Sequence, residues 1–228
     1  MNWLISLFFE MFYSLASYLS VLFLKKERTW NKTDKIPILL VHGYIHNSSV
    51  WLYHAKKLNK KGFGPIFTVN LGSIFSSIEE YTNVLSNKID QILKTTKKKK
   101  IILIGHSMGG LVSLNYATHH QKKNHIKAIV TIGSPIKGTK MANLALGDCG
   151  KQMRPGSFFL RNLNEAIQEV NDFKIFNIAS KTDEIIIPYS SAVIGNAYDV
   201  AVLNRIGHNA LLYSNRVNKI LSNWLLSI

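Results

Sequence analysis

The hexapeptide Gly105-His106-Ser107-Met108-Gly109-Gly110 constrains the fold more than any other part of the chain. It fits the pattern G-x-S-x-G, and its setting gives the pattern weight. Residues 100–104 precede it as an apolar run that reads as a buried strand, and residues 111–117 follow with helical character. A chain passing from strand to helix in so few residues turns sharply. The turn forces its central residue into a strained backbone conformation with the side chain presented outward. Gly105 and Gly109 bring no Cβ into the turn. The helix that starts here points its N–H groups and the positive end of its dipole at the serine, a setting that favours an oxyanion. Ser107 is therefore the candidate nucleophile.

The rest of the pattern fits a strand–helix alternation. Residues 36–41, 66–69, 101–104, 126–132, 173–179 and 198–203 are short apolar runs. Residues 52–61 are helix-like and stop at Gly62. Residues 74–93 put Ile78, Tyr81, Leu85, Ile89 and Ile92 at helical spacing, and residues 211–226 close the chain as an amphipathic helix. Strands buried on both faces and separated by helices predict an α/β fold with a mostly parallel central sheet and helices on both faces. Residues 137–164 stand apart. They hold Gly138, Gly147, Gly150, Pro155 and Gly156, have weak periodicity, and read as a long excursion suited to a small lid or a substrate-facing loop.

A serine hydroxyl needs a base within reach and an acid to orient that base. Four histidines follow Ser107. His119, His120 and His125 fall on or after the far end of the helix behind the nucleophile. His208 sits in Arg205-Ile206-Gly207-His208-Asn209, a glycine-containing loop after the last strand, and is the candidate base. Asp183 is the candidate acid, because it follows a predicted strand at the end where α/β sheets carry their sites. Glu184 is adjacent and stands as the alternative. Asp172 precedes that strand, and Asp199 begins a later one.

Taken in order, His42-Gly43, the Ser107 hexapeptide, Asp183 followed by Ile185-Ile186-Ile187-Pro188, and Gly207-His208 resemble the α/β-hydrolase superfamily. Thr131-Ile132-Gly133-Ser134-Pro135 with Gly138-Thr139, and Arg154-Pro155-Gly156-Ser157 with Phe159-Leu160 and Leu163-Asn164, are similar to its small bacterial lipases and esterases. The likeness covers about residues 36–226. It implies an α/β-hydrolase fold, carboxylic-ester or lipid substrates, and an acyl-Ser107 intermediate. It also implies an oxyanion hole made by the backbone N–H groups of Tyr44 and Met108. No cofactor or metal is expected. A thioesterase, amidase or acyltransferase on the same elbow, or a non-catalytic binding protein, are the alternatives.

Composition bears on location and partners. With 228 residues, 46% of them hydrophobic and 18% charged, residues 31–228 read as one catalytic domain, and a disordered chain is excluded. The single cysteine, Cys149, rules out an internal disulfide. The net charge of +15 suits anionic lipid or acidic partners. No nucleic-acid recognition motif accompanies it, so nucleic acid is not an expected partner. Residues 1–30 form an apolar N-terminal segment. Within it residues 3–24 are almost continuously apolar or aromatic, with Glu10 their one charge. As a helix they would be about 33 Å long, enough for a hydrocarbon core of about 30 Å. Three readings stand: a membrane anchor, an interfacial helix, or a signal peptide. Lys25, Lys26, Arg28, Lys32 and Lys35 follow the run, and for an anchor this basic flank predicts a cytoplasmic catalytic domain. A signal peptide would instead mean export.

Overall fold

Short apolar runs buried along nearly their whole length build a sheet with an apolar layer on each face. The computed structural model describes residue 15 and residues 26–30, 33–120 and 123–228. Its strands are β1 (Thr29–Trp30), β2 (Ile38–Val41), β3 (Ile66–Val69), β4 (Ile101–His106), β5 (Ile126–Ile132), β6 (Lys174–Ser180) and β7 (Asp199–Leu203). They form one seven-stranded sheet in the order β1-β3-β2-β4-β5-β6-β7. All pairs are parallel except β1 against β3. The mostly parallel sheet expected from the sequence is what the chain adopts.

The described helices are α1 (Leu52–Lys60), α2 (Ile78–Thr96), α3 (Met108–His119), α4 (Gly147–Gln152), α5 (Phe158–Gln168) and α6 (Asn215–Leu226). Alternate strand residues face opposite layers. Leu39, Val41, Leu103 and Ile129 pack with Leu85 and Ile89 of α2, Leu111 and Leu114 of α3, and Leu163 of α5. Leu40, Ile102, Ile104 and Val130 face the other way, onto Leu58 of α1 and Leu221 of α6.

Several elements differ from the sequence expectation for local reasons. Helix α2 starts at Ile78, not at residue 74, because Ser77 caps it. Ser77 Oγ accepts from Glu80 N at 3.1 Å, and Glu80 Oε2 accepts from Ser77 N at 2.8 Å. Residues 211–226 are a short 3-10 turn, Ala210–Tyr213, followed by α6, with Ser214 as the new cap. The excursion is more regular than its glycines suggest. It contains the 3-10 turn Lys140–Leu144, then α4, then α5, whose buried residues Leu160, Leu163 and Ile167 sit at helical spacing behind the Ser157 cap. Residues 26–30 close the N-terminal segment that the sequence sets apart from the catalytic domain. In the fold they lie along the sheet edge: Thr29 pairs with Phe67 and Trp30 with Ile66, and Glu27 accepts from Asn70 N and from Lys88 Nζ. The run of residues 3–24 lies outside the described residues, apart from Leu15. Among the described residues no helix is long and apolar enough to cross a membrane.

The winding of the sheet fixes where a site can form. From β2 the chain moves outward to β3, then crosses back to β4 on β2's other side. The loops leaving β2 and β4 therefore diverge, and the crevice beyond their carboxyl ends is the usual place for a ligand in such sheets. Val41 pairs with Gly105, so His42-Gly43 and His106-Ser107 leave the sheet side by side.

Candidate active site

The turn after β4 has the strain its sequence predicts. Ser107 has φ 54° and ψ −128°, a region that a residue with a Cβ occupies only when its surroundings hold it there. Its N–H donates to Ile132 O at 2.9 Å, and its carbonyl accepts from Gly110 N at 3.0 Å. The glycines permit close approach. A Cβ on Gly105 would lie 2.5 Å from the Gly109 backbone, and one on Gly109 would collide with the carbonyls of Val41 and His42. The start of α3 is thus pressed against the end of β2. A Cβ on Gly43 would sit 2.8 Å from Ser107 Cβ, which puts the β2 loop directly beside the serine.

Asp183 and His208 meet although 25 residues separate them. His208 Nδ1–H donates to Asp183 Oδ2 at 2.8 Å, with both side chains buried. The other carboxylate oxygen, Oδ1, accepts from Ile185 N at 2.9 Å and Ile186 N at 2.8 Å. The carboxylate is thus held at both oxygens, and the imidazole is held in the tautomer that carries its lone pair on Nε2. Glu184, the alternative acid, does something else: its carboxylate accepts from the backbone N–H of His208 at 3.2–3.3 Å. Thr182 and Ser180 complete the staple between the two loops. Thr182 Oγ1 donates to Ile206 O and accepts from Ile206 N, and Ser180 Oγ donates to the same carbonyl.

The remaining candidates lie elsewhere. His119 ends α3, His120 stacks on Tyr116, and His125 sits just before β5, at the opposite end of the sheet from Ser107. Asp199 accepts from Trp224 Nε1 at 2.7 Å and ties α6 to β7. Asp172 precedes β6, at the end away from the site. Among the described residues no group of three or more His, Cys, Asp or Glu side chains is placed to hold a metal ion.

His106 has no role assigned to it by the sequence, yet the fold gives it one. Its Nε2–H donates to the carbonyl of His208 at 3.1 Å, and the two rings lie 4.6 Å apart. Burial, and then the neighbouring His208, hold the His106 pKa well below the usual imidazole range. It therefore stays a neutral prop under the His208 loop. No local signal reveals this, since the contact spans 102 residues.

Other histidines around the site are also kept neutral. His42 Nδ1–H donates to Gly43 O at 2.9 Å and Nε2 accepts from Leu71 N at 3.0 Å, which anchors the loop beside Ser107. Burial pushes His42 and His54 down to about 4, and burial followed by His42 and His208 pushes His46 down to about 3. Unfolded, each would titrate near about 6.5. The unfolded chain therefore binds more protons below that pH, and stability is lost as pH falls from about 6.5 toward about 4. Each group fully exposed to that difference withdraws on the order of 3 kcal/mol. The urea midpoint should fall markedly between pH 7 and about pH 4.5; an unchanged midpoint would contradict the neutral, buried assignment.

Ser107 and His208 line one cavity of about 300 Å³, together with Tyr44, His46, Met141, Leu144 and Ile186 among others. Its size suits a small ligand. The cavity connects the β2 loop to the excursion. Tyr44 Oη accepts from Leu146 N at 2.8 Å and donates to Leu146 O at 3.2 Å, so this hydroxyl clamps the excursion over the site. The Tyr44 backbone follows Gly43, and Met108 opens α3, where first-turn N–H groups have no partner within the helix.

The fold agrees with the comparisons. Among solved structures the chain is similar to a Bacillus licheniformis lipase in mature form, with a TM-score of 0.75 and 17% identity over 88% of this chain and 98% of that one. It is also similar to a Paleococcus ferrophilus monoacylglycerol lipase, with a TM-score of 0.65 and 16% identity over 89% and 98%. At such identity these likenesses concern the fold. Among curated proteins it is 31% identical over 100 residues to a Vibrio cholerae pimeloyl-(acyl-carrier protein) methyl ester esterase, covering 44% of this chain and 37% of that one. It is 23% identical over 158 residues to a Rattus norvegicus 1-acylglycerol-3-phosphate O-acyltransferase, covering 65% and 42%. The aligned stretches span less than half the length of these two relatives. Residues 36–156 match the family model described as alpha/beta hydrolase fold, and the chain belongs to that family.

Proposed function

We propose that this chain is a serine hydrolase of carboxylic esters, acting on lipid or other acyl esters through an acyl-Ser107 intermediate. One observation carries the reading: the strained serine and His208 share a cavity, and Asp183 holds His208 through Nδ1 in the tautomer whose lone pair is on Nε2. Ser107 Oγ attacks the ester carbonyl carbon while His208 Nε2 takes the hydroxyl proton. Asp183 stabilises the imidazolium and keeps its own charge. The carbonyl oxygen becomes an oxyanion that accepts from the N–H groups of Tyr44 and Met108. Collapse breaks the ester C–O bond, and His208 returns the proton to the departing alcohol. Water then attacks the acyl-serine with His208 again as base, releasing the acid and restoring Ser107.

Membrane association is part of the same proposal. The apolar run of residues 3–24 and the basic residues after it suit a lipid surface, where a lipid esterase would meet its substrate at high local concentration. Nothing in this reading calls for a cofactor.

The test is hydrolysis of activated esters of graded acyl length, with a fluorophosphonate probe mapped by peptide mass. Turnover of at least part of the series, with adduct on Ser107, is the expected result. Absence of both turnover and adduct sinks the reading. One relative is named as an acyltransferase, so products are also analysed with a competing acceptor alcohol. A transfer product dominating over free acid would reassign the second step from water to that alcohol.

A further inference from the structure

The geometry points to the carboxyl end of the sheet, around the mouth of the Ser107 cavity, as the face that docks on an anionic lipid surface. This rests on the membrane part of the proposed function and adds an orientation to it.

Three observations converge. The first is the direction of β1. It runs antiparallel to β3, so the chain traced backward from Trp30 travels toward the carboxyl end of the sheet. Arg28 N donates to Thr68 Oγ1, Glu27 accepts from Asn70 N, and the Lys26 carbonyl accepts from Ser48 Oγ, in the loop region beyond β2. The apolar run of residues 3–24 therefore joins the domain at the end that holds Ser107, not at the opposite one. A run that enters lipid from this point brings the cavity mouth to the same lipid.

The second is the rim itself. Leu144, Leu146, Phe75, Ile45 and Ile187 are 77%, 59%, 60%, 40% and 38% exposed. Leu144 and Ile45 line the cavity. Phe75 is joined to α4 through the bond from Asp148 N to its carbonyl, and Ile187 to the excursion through the bond from Lys140 N. Large apolar side chains gathered round one opening mark a surface for an apolar partner.

The third is charge. Lys26, Lys140, Lys181 and Arg205 are exposed at this end of the sheet. The acids nearby are engaged: Asp148 with Lys151, Glu27 with Lys88, Glu79 with Gln152, and Glu80 in the α2 cap. An apolar patch ringed by exposed cations matches hydrocarbon beneath anionic headgroups.

The test uses the full chain and vesicles of phosphatidylcholine with phosphatidylglycerol. A polarity-sensitive fluorophore is attached in turn at Phe75→Cys and at Lys99→Cys, which lies just before β4 at the far end; the native Cys149 is buried. On vesicle addition the probe at 75 should shift to the blue and be quenched by nitroxide-bearing lipid, and the probe at 99 should do neither. Phe75→Ser should weaken partition about tenfold, equivalent to about 1.4 kcal/mol, with turnover of a soluble ester unchanged. If the protein binds vesicles while the probe at 75 stays in water, the orientation is overturned and the membrane reading survives. If the probe at 75 is already shielded without vesicles and does not respond to them, the chain's own N-terminal run covers the rim, and the orientation is again overturned. If the chain does not bind vesicles at all, both fall, and soluble-ester turnover still judges the hydrolase reading separately.

Discussion

On the proposed function, Ser107→Ala should remove ester turnover by a factor of at least about 10⁴ and leave the fold in place. The other hydroxyls in the cavity wall are engaged elsewhere: Thr139 Oγ1 donates to Ile185 O, and Tyr44 Oη bonds the backbone of Leu146. Alanine fills the elbow with the same Cβ and so keeps the backbone strain at φ 54°. Ser107→Gly should lose activity equally while gaining about 1 kcal/mol of stability, because glycine relieves that strain. Paired measurements of ester turnover and urea midpoint separate the chemical role from the conformational one. Purified, folded Ser107→Ala that still turns over an activated ester would remove Ser107 from the mechanism.

Asp183→Asn should lower kcat by about 10⁴ with little change in KM. An amide at this position can present its N–H₂ to His208 Nδ1, which reverses the tautomer and takes the lone pair away from Nε2. His208→Ala should lose as much. Glu184→Gln should retain most activity, because a glutamine oxygen still accepts from the His208 backbone N–H. The reverse pattern, with Glu184→Gln inactive and Asp183→Asn nearly normal, would move the acid to Glu184.

The sequence made the parts of the site readable where chemistry and chain order coincide. The elbow is local: strand, glycine, serine, glycine and helix follow one another, so its strain could be read without a fold. Asp183 and His208 could be chosen because each sits in a loop at a strand end, and position along the chain reports which end. The supports could not be chosen that way. The prop from His106 to His208, the staple from Thr182 to Ile206 and the clamp from Tyr44 to Leu146 join residues 24 to 102 apart. Each depends on how the fold brings separate loops together, which no local pattern reports. Helix α5 escaped notice because Gly147, Gly150 and Gly156 dilute the pattern just before it. Strand β1 did so because two residues are too few to show a period.

Strand β1 has a further bearing on how the protein can be handled. A strand with an open edge offers unpaired N–H and C=O groups to any other extended chain. Thr29 and Trp30 occupy the outer edge of β3, and Glu27 fastens them through Lys88. A fragment trimmed before Lys26 keeps this guard. One trimmed after Trp30 leaves the Ile66–Val69 backbone open and rich in β-branched residues, a template for edge-to-edge association between copies. A few residues' difference in where the apolar run is cut would then decide between a dispersed protein and an aggregating one, with the site around Ser107 chemically unaltered in both.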